Sequence, residues 1–419
     1  MFRRFTTFAL LFVGVLRAWA EDPIFREIDQ SLVELSKLTG MEIRKKVEYD
    51  TITKEKLRAY VEESVKQEVA PEDIRAEELT LKKLGLVPPE FDLAKTTIDL
   101  MTEQAAAFYD YRKKKLFLLQ GGGGGLEQST VLVHELAHAL ADQHYNLGKY
   151  LKRGKTDDGS LARMAVMEGQ ATWLMFEVQA NRMNMSLKSA PAMVEMMSRG
   201  SEAMTSQFPV LSNSPLYMRA QLLFPYTAGM RFQQAVVQKL GDDAFKRVFV
   251  TPPQNTQQIL HPELYLASAP VAETELPELA GQRRFKTLNA GTVGEFDHSI
   301  LIEQYVNKKE AEALARHWRS GAFRLLEEKK SNRIVLLYSS EWSGPEQAQK
   351  MYANYRSVLR GKNKKLRPIT ENDSLLIGEG DDGYFRLERK GNKITSIEGL
   401  SDGDLREGGG TSPSTRFVH

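Results

Sequence analysis

Hydrophobic and polar positions change period several times along this chain of 419 residues. In FREIDQSLVELSKLTG the apolar residues recur three and four apart, which predicts an amphipathic helix stopped by Gly40. MEIRKKVEYD alternates roughly by two and predicts a short strand. Helices are expected over TITKEKLRAYVEESVKQEV, with Thr53 as N-cap, over PEDIRAEELTLKKLGL, with Pro71 in its first turn and Gly85 near its end, and from Asp92 to about Ala105. The period then drops to two, and AAAFYDYRKKKLFLLQ reads as strand, charged turn, strand. GGGGG at 121–125 reads as a flexible connection without the Lys-Ser/Thr ending of a phosphate loop. Helix resumes near Leu126 and runs past His144; a second covers Ser160 to about Asn181. A Met-rich, Pro-interrupted helical stretch follows to Met204, then a helix after Pro225.

Beyond Tyr265 the pattern changes again. Residues 266–284, rich in Ala, Pro, Glu and Gly, are expected to link two domains. Paired strands are expected in FRLLEEKKSNRIVLLYSS, a helix from Pro345 to about Leu359, and two strands near GYFRLERK and NKITSIEG. The expected class is α+β: a mostly helical domain over 21–265 (an N-terminal helical part, 21–104, and a core, 105–265) with a small sheet, then an α+β accessory domain over 285–400. Residues 401–419 read as a disordered tail.

Composition narrows the class. With 42% hydrophobic and 27% charged residues the chain is of soluble globular type. A formal charge of only +2 argues against a nucleic-acid binder. The first twenty residues are expected to be a signal peptide: MFRR is a basic start, Phe5 to Leu16 is an apolar run too short to span a bilayer, and Ala18-Trp19-Ala20 fits a cleavage site. No later stretch is long and apolar enough to insert in a membrane, so the expected location is secreted or periplasmic. There is no Cys and there are only seven His, so any metal site must use imidazole and carboxylate.

VLVHELAHALADQH carries an HExxH pattern, His134-Glu135-x-x-His138. Chance supplies about 0.01 such matches in a chain of this composition. Residues four apart share a helix face, so both imidazoles reach one ion, with Glu135 beside its open position as general base. The alternative is an amphipathic helix with surface histidines, but Val131, Leu132, Val133, Leu136, Ala137, Ala139, Leu140 and Ala141 surround the motif and bury it. The natural ion is Zn2+, and a catalytic zinc needs a third ligand. Glu168, flanked by apolar residues in LARMAVMEGQATWLMFE, is the expected one, with Glu177 as fallback; the rival role is a helix-edge acid paired to Arg163 or a Lys. Gly169 and Ala171 beside it are small enough for two helices to pack closely. His144 lies off the ligand face and is expected to be structural or to support the ligands.

HELAH followed on a second helix by MEGQAT resembles the gluzincins, zinc peptidases of the thermolysin and aminopeptidase type. The order strand, Gly-rich loop, active-site helix is similar to theirs over about Ala105 to Gln179. The chain also resembles a poorly characterised group of exported prokaryotic HExxH proteins whose pattern includes an ILHPE-like string, here Ile259 to Glu263. The resemblance implies a zincin-like fold, zinc on His134, His138 and Glu168, Glu135 as base, and an edge strand at Phe108 to Tyr109 that pairs with an extended peptide or protein substrate. It implies Asp142 as a supporting group and Tyr226 or His261 as oxyanion donor; their plainer roles are helix-start packing and a loop cap. The aminopeptidase GxMEN-like string is absent, so the implied activity is an endopeptidase. The rival reading is an exported interaction protein, inactive or non-peptidase, on the same scaffold. Substrate preference and oligomeric state leave no signature.

Overall fold

The computed structural model describes residues 24–120 and 126–407. The signal-peptide expectation, the GGGGG connection and residues 408–419 lie outside them. The chain divides into two compact units. Unit 1 comprises the described residues up to Ile74, Asp92–Ser214 and Met218–Ala269; unit 2 comprises Arg75–Phe91, Pro215–Tyr217 and the chain from Pro270 on. The architecture is α+β, with a mostly helical N-terminal region, a small sheet, and a C-terminal region with a larger sheet. No described helix is long and apolar enough to cross a membrane.

Unit 1 begins with α1 (Ile24–Thr39), which ends at Gly40 in the left-handed region, φ +67°, as expected of a helix stop. β1 (Glu48–Ile52) follows, later than the alternation in MEIRKKVEYD suggests. The backbone of that stretch is satisfied elsewhere: Arg44 and Lys45 N–H donate to the Gln143 side chain, which donates back to the Lys45 carbonyl. His144 Nε2 lies 2.8 Å from the Glu42 carbonyl oxygen. Both residues lie at the end of the helix that carries His134 and His138, so the segment before that helix is built into the unit. α2 (Lys54–Glu68) is N-capped by Thr53, and α3 (Pro71–Leu84) follows, its residues from Arg75 on belonging to unit 2. α4 (Leu93–Gln104) is capped by Asp92, which accepts from Lys95 N–H.

β2 (Ala107–Asp110) and β3 (Lys115–Leu119) form the expected hairpin. Its sheet has order β1-β3-β2, with β1 parallel to β3, so β2 is an edge strand. Phe108 stacks on Phe117 and Tyr60 over a cluster with Leu57, Val61 and Met101. The helical layer is α5 (Leu126–Tyr145), α6 (Leu147–Lys152), α7 (Asp157–Arg182), α8 (Pro191–Ala203), α9 (Pro209–Asn213), α10 (Leu216–Leu240), α11 (Ala244–Val250), α12 (Thr256–Leu260) and α13 (Pro262–Leu266).

Unit 2 carries three strands more than the sequence suggests. β4 (Phe285–Gly291), β5 (Trp318–Glu328), β6 (Ile334–Trp342), β7 (Arg367–Glu371), β8 (Leu375–Gly380), β9 (Gly383–Lys390) and β10 (Lys393–Leu400) form one antiparallel sheet of order β4-β5-β6-β10-β9-β8-β7. The missed strands, β4, β7 and β8, are short or carry Gly, Pro and charge, so alternation is weak. α14 (Glu295–Tyr305), α15 (Lys308–Leu314) and α16 (Pro345–Lys362) complete the unit, and α16 packs over β6, β9 and β10. A second apolar cluster holds Phe285, Leu326, Val335 and Leu337 together with Leu279 and Leu405. Leu279 belongs to the expected linker and Leu405 to the expected tail. Residues 401–407 are thus a correction: Asp402–Glu407 form a short helix, α17, because Leu405 is buried and Asp404 accepts from Ser401 and binds Arg284 and Arg333.

His298 on α14 is fully buried beside Tyr338 and Trp342. Its Nδ1 lies 2.7 Å from the Gly294 carbonyl oxygen, and its Nε2 lies 2.7 Å from the Tyr338 hydroxyl. Nδ1 therefore carries the proton, and the phenol donates to Nε2. Burial pulls the imidazole down to about 4. An unfolded His titrates near 6.5, so the unfolded state binds the extra proton between those values, and stability falls as pH drops from about 6.5 through 4. The full loss is about 3 kcal/mol. Urea titrations at pH 7 and pH 4.5 should show a larger loss for wild type than for His298→Gln; equal losses would contradict the assignment.

Candidate metal centre

α5 is buried almost all the way round, from Val131 to Ala141. It packs along α7, which is N-capped by Thr156 and carries Glu168 in its middle. α7 also crosses α10 at a pair of glycines. A Cβ on Gly169 would sit 2.1 Å from the Gly229 carbonyl carbon, and one on Gly229 would sit 2.2 Å from the Ala165 carbonyl oxygen. Neither position tolerates a side chain without parting the helices. The closeness expected from Gly169 is real; its partner, Gly229 in FPYTAGM, went unmarked because a single helical Gly gives no contact partner.

This packing brings His134, His138 and Glu168 together. His134 Nε2 and His138 Nε2 are 3.0 Å apart, and each is 3.2 Å from Glu168 Oε2. All three side chains are buried, Glu168 at 1% exposure. Among the described residues this is the group of three or more His, Cys, Asp or Glu placed to hold one metal ion. Zinc bonds of about 2.0–2.2 Å at tetrahedral angles set ligand atoms about 3.3–3.6 Å apart, slightly wider than the spacing here. Two imidazole nitrogens and a carboxylate oxygen suit a borderline divalent ion.

Ligands must present lone pairs, and the shifts of His134 and Glu168 run in that direction. Burial pulls the His134 imidazole down to about 4, so it is neutral. Burial pushes the Glu168 carboxyl up, but its closeness to His138 and its contacts with the Nε2 atoms of both imidazoles outweigh that, and Glu168 is lowered to about 2. One feature departs from the usual pattern: His134 Nδ1 is buried without a hydrogen-bond partner, where a metal-bound imidazole normally donates to an acceptor.

Glu135 is fully buried next to the cluster. Its Oε2 accepts the Tyr109 N–H at 2.7 Å, and its Oε1 has no hydrogen-bond partner in the protein. Burial, then the charge of Glu168, push its carboxyl well above the usual range, with the Tyr109 N–H opposing. Tyr226 lies with its ring near-parallel to His134, centroids 6.1 Å apart and planes at 27°. It is not at a helix start, as expected, but inside α10, which runs through Pro225. Proline cannot donate to the Gln221 carbonyl, so the helix lacks a bond at the turn presenting Tyr226.

The other expected residues have contacts of their own. His261 joins α12 to α13, and its Nδ1 lies 3.7 Å from Glu263. Asp142 binds the Tyr109 phenol, Lys114 and the Leu147 N–H. Glu177, the fallback ligand, accepts from the Ser186 hydroxyl and the Leu187 N–H, both at 2.6 Å. Missed altogether was the Tyr109 N–H: a backbone donor leaves no trace in residue type.

No family model, curated protein or solved structure matches this chain.

Proposed function

We propose that this chain is an exported zinc metallopeptidase of gluzincin type, acting as an endopeptidase on peptides or proteins. The observation that carries the reading is the convergence of two HExxH imidazoles and Glu168 on one point, beside a carboxylate that is not a ligand. Zinc held by His134, His138 and Glu168 would supply Lewis acidity and a water acidified to about pKa 7. Glu135 takes a proton at Oε1 and returns it to the leaving amine. Tyr226 is the better oxyanion donor of the two expected, because its ring lies against His134 while His261 sits beside Glu263. β2 offers the edge for an extended peptide.

One observation favours the second reading, a non-peptidase scaffold. The ligands, Glu135 and all four residues of β2 are buried. A substrate therefore enters only through an opening motion, and an interaction protein would need none. The test is incubation of zinc-loaded full-length protein with a peptide pool, with and without chelator. Hydrolysis should occur and should be lost slowly, at a rate that stops rising with chelator concentration, because opening of the buried site limits metal release. No hydrolysis of any peptide would overturn the reading.

A further inference from the structure

The contact that orients Glu135 comes from outside its own helix. Tyr109, on β2, gives its backbone N–H to Oε2 of Glu135. Its phenol donates to Oδ2 of Asp142 at 2.9 Å, seven residues further along α5 and so on the same face. Asp142 is itself fixed, by Lys114 Nζ at 2.6 Å and by the Leu147 N–H at 2.9 Å. One residue of the edge strand thus bonds the helix at two points. Tyr109 stands opposite Leu116 of β3, yet its N–H goes to Glu135. In an antiparallel strand the N–H and C=O of one residue point to the same side, so both face away from β3.

We propose that Tyr109 is a positioning residue: its backbone N–H holds Oε2 of Glu135, leaves Oε1 as the single oxygen that exchanges a proton, and leaves only the Tyr109 carbonyl to meet the main chain of an extended peptide. The proposal rests on the peptidase reading. An N–H can only donate, so Oε2 is committed as acceptor. The last torsion of a Glu side chain is broad, and without this bond the two oxygens could exchange places. Oε1 is buried and has no protein partner, as a group kept for a reacting water would be. An edge residue usually offers a passing strand a donor and an acceptor; here the donor is occupied, so a peptide binds this position through its own N–H.

The test replaces the Tyr109 amide by an ester, using the α-hydroxy analogue of tyrosine in the full-length chain. Ring and phenol stay, and no hydrogen bond to β3 is removed. With zinc bound, kcat on a hydrolysed peptide should fall about ten- to hundredfold, the worth of one hydrogen bond to a charged group. It should fall further than in Tyr109→Phe, which keeps the N–H, while KM and zinc content stay near wild type. Unchanged kcat in the ester protein overturns the proposal. A second readout is independent of activity. In protein labelled with 15N-tyrosine, the Tyr109 amide proton should resonate downfield and move upfield in Glu135→Ala; an unmoved signal overturns the contact. Wild-type protein that hydrolyses nothing, yet shows the amide shift, would sink the peptidase reading and leave the contact standing.

Discussion

Glu135→Gln is expected to lose hydrolysis and keep its metal. The amide has the same shape and can still accept the Tyr109 N–H, so the buried position stays filled. It cannot take a proton from water or return one to a leaving amine. Loss of a general base costs about 10²–10⁴ in rate. Glu135 is not one of the converging ligand atoms, so zinc content should match wild type. Steady-state rates on one cleaved peptide, with metal analysis of the same samples, check both halves. Undiminished hydrolysis would contradict the role of Glu135.

The second large effect is on metal affinity. Glu168→Gln keeps the side-chain volume at the close crossing of α7 and α10, where Gly169 meets Gly229. It removes the negative charge that two imidazoles face at 3.2 Å. Stripping a buried charge of its partner costs about 3–5 kcal/mol, which is about a hundred- to a few-thousand-fold in affinity. The loss also shows in stability. Zinc at a thousand times its Kd adds about 4 kcal/mol to wild type by binding only the folded state. By the same arithmetic that zinc-dependent rise in Tm should shrink to about a third or less in Glu168→Gln. A variant that binds zinc as tightly as wild type would remove Glu168 from the ligand set.

The site was legible in the sequence to the extent that residue type and helical spacing define it. His134 and His138 share a face by their spacing, and Glu168 stands out as an acid in the apolar middle of a helix. Short-range signals read equally well: Thr53 and Asp92 cap their helices, and Gly40 ends one. What escaped depends on distant partners. The parallel pairing of β1 with β3, the Gly169–Gly229 crossing and the Tyr109 N–H on Glu135 join segments far apart in the chain. Tyr226 was placed at a helix start because Pro225 normally marks one, whereas α10 continues through it. Burial of the motif is legible in the apolar residues around it, whereas burial of all four residues of β2 is not, since other elements supply it.

The central claim, that His134, His138 and Glu168 form a metal centre, is tested most directly by metal analysis of full-length protein after exposure to zinc and removal of the unbound ion. About one zinc per chain is predicted for wild type and for Glu135→Gln, with little retained by Glu168→Gln. Wild-type protein that retains no zinc, or equal zinc in all three proteins, would contradict it.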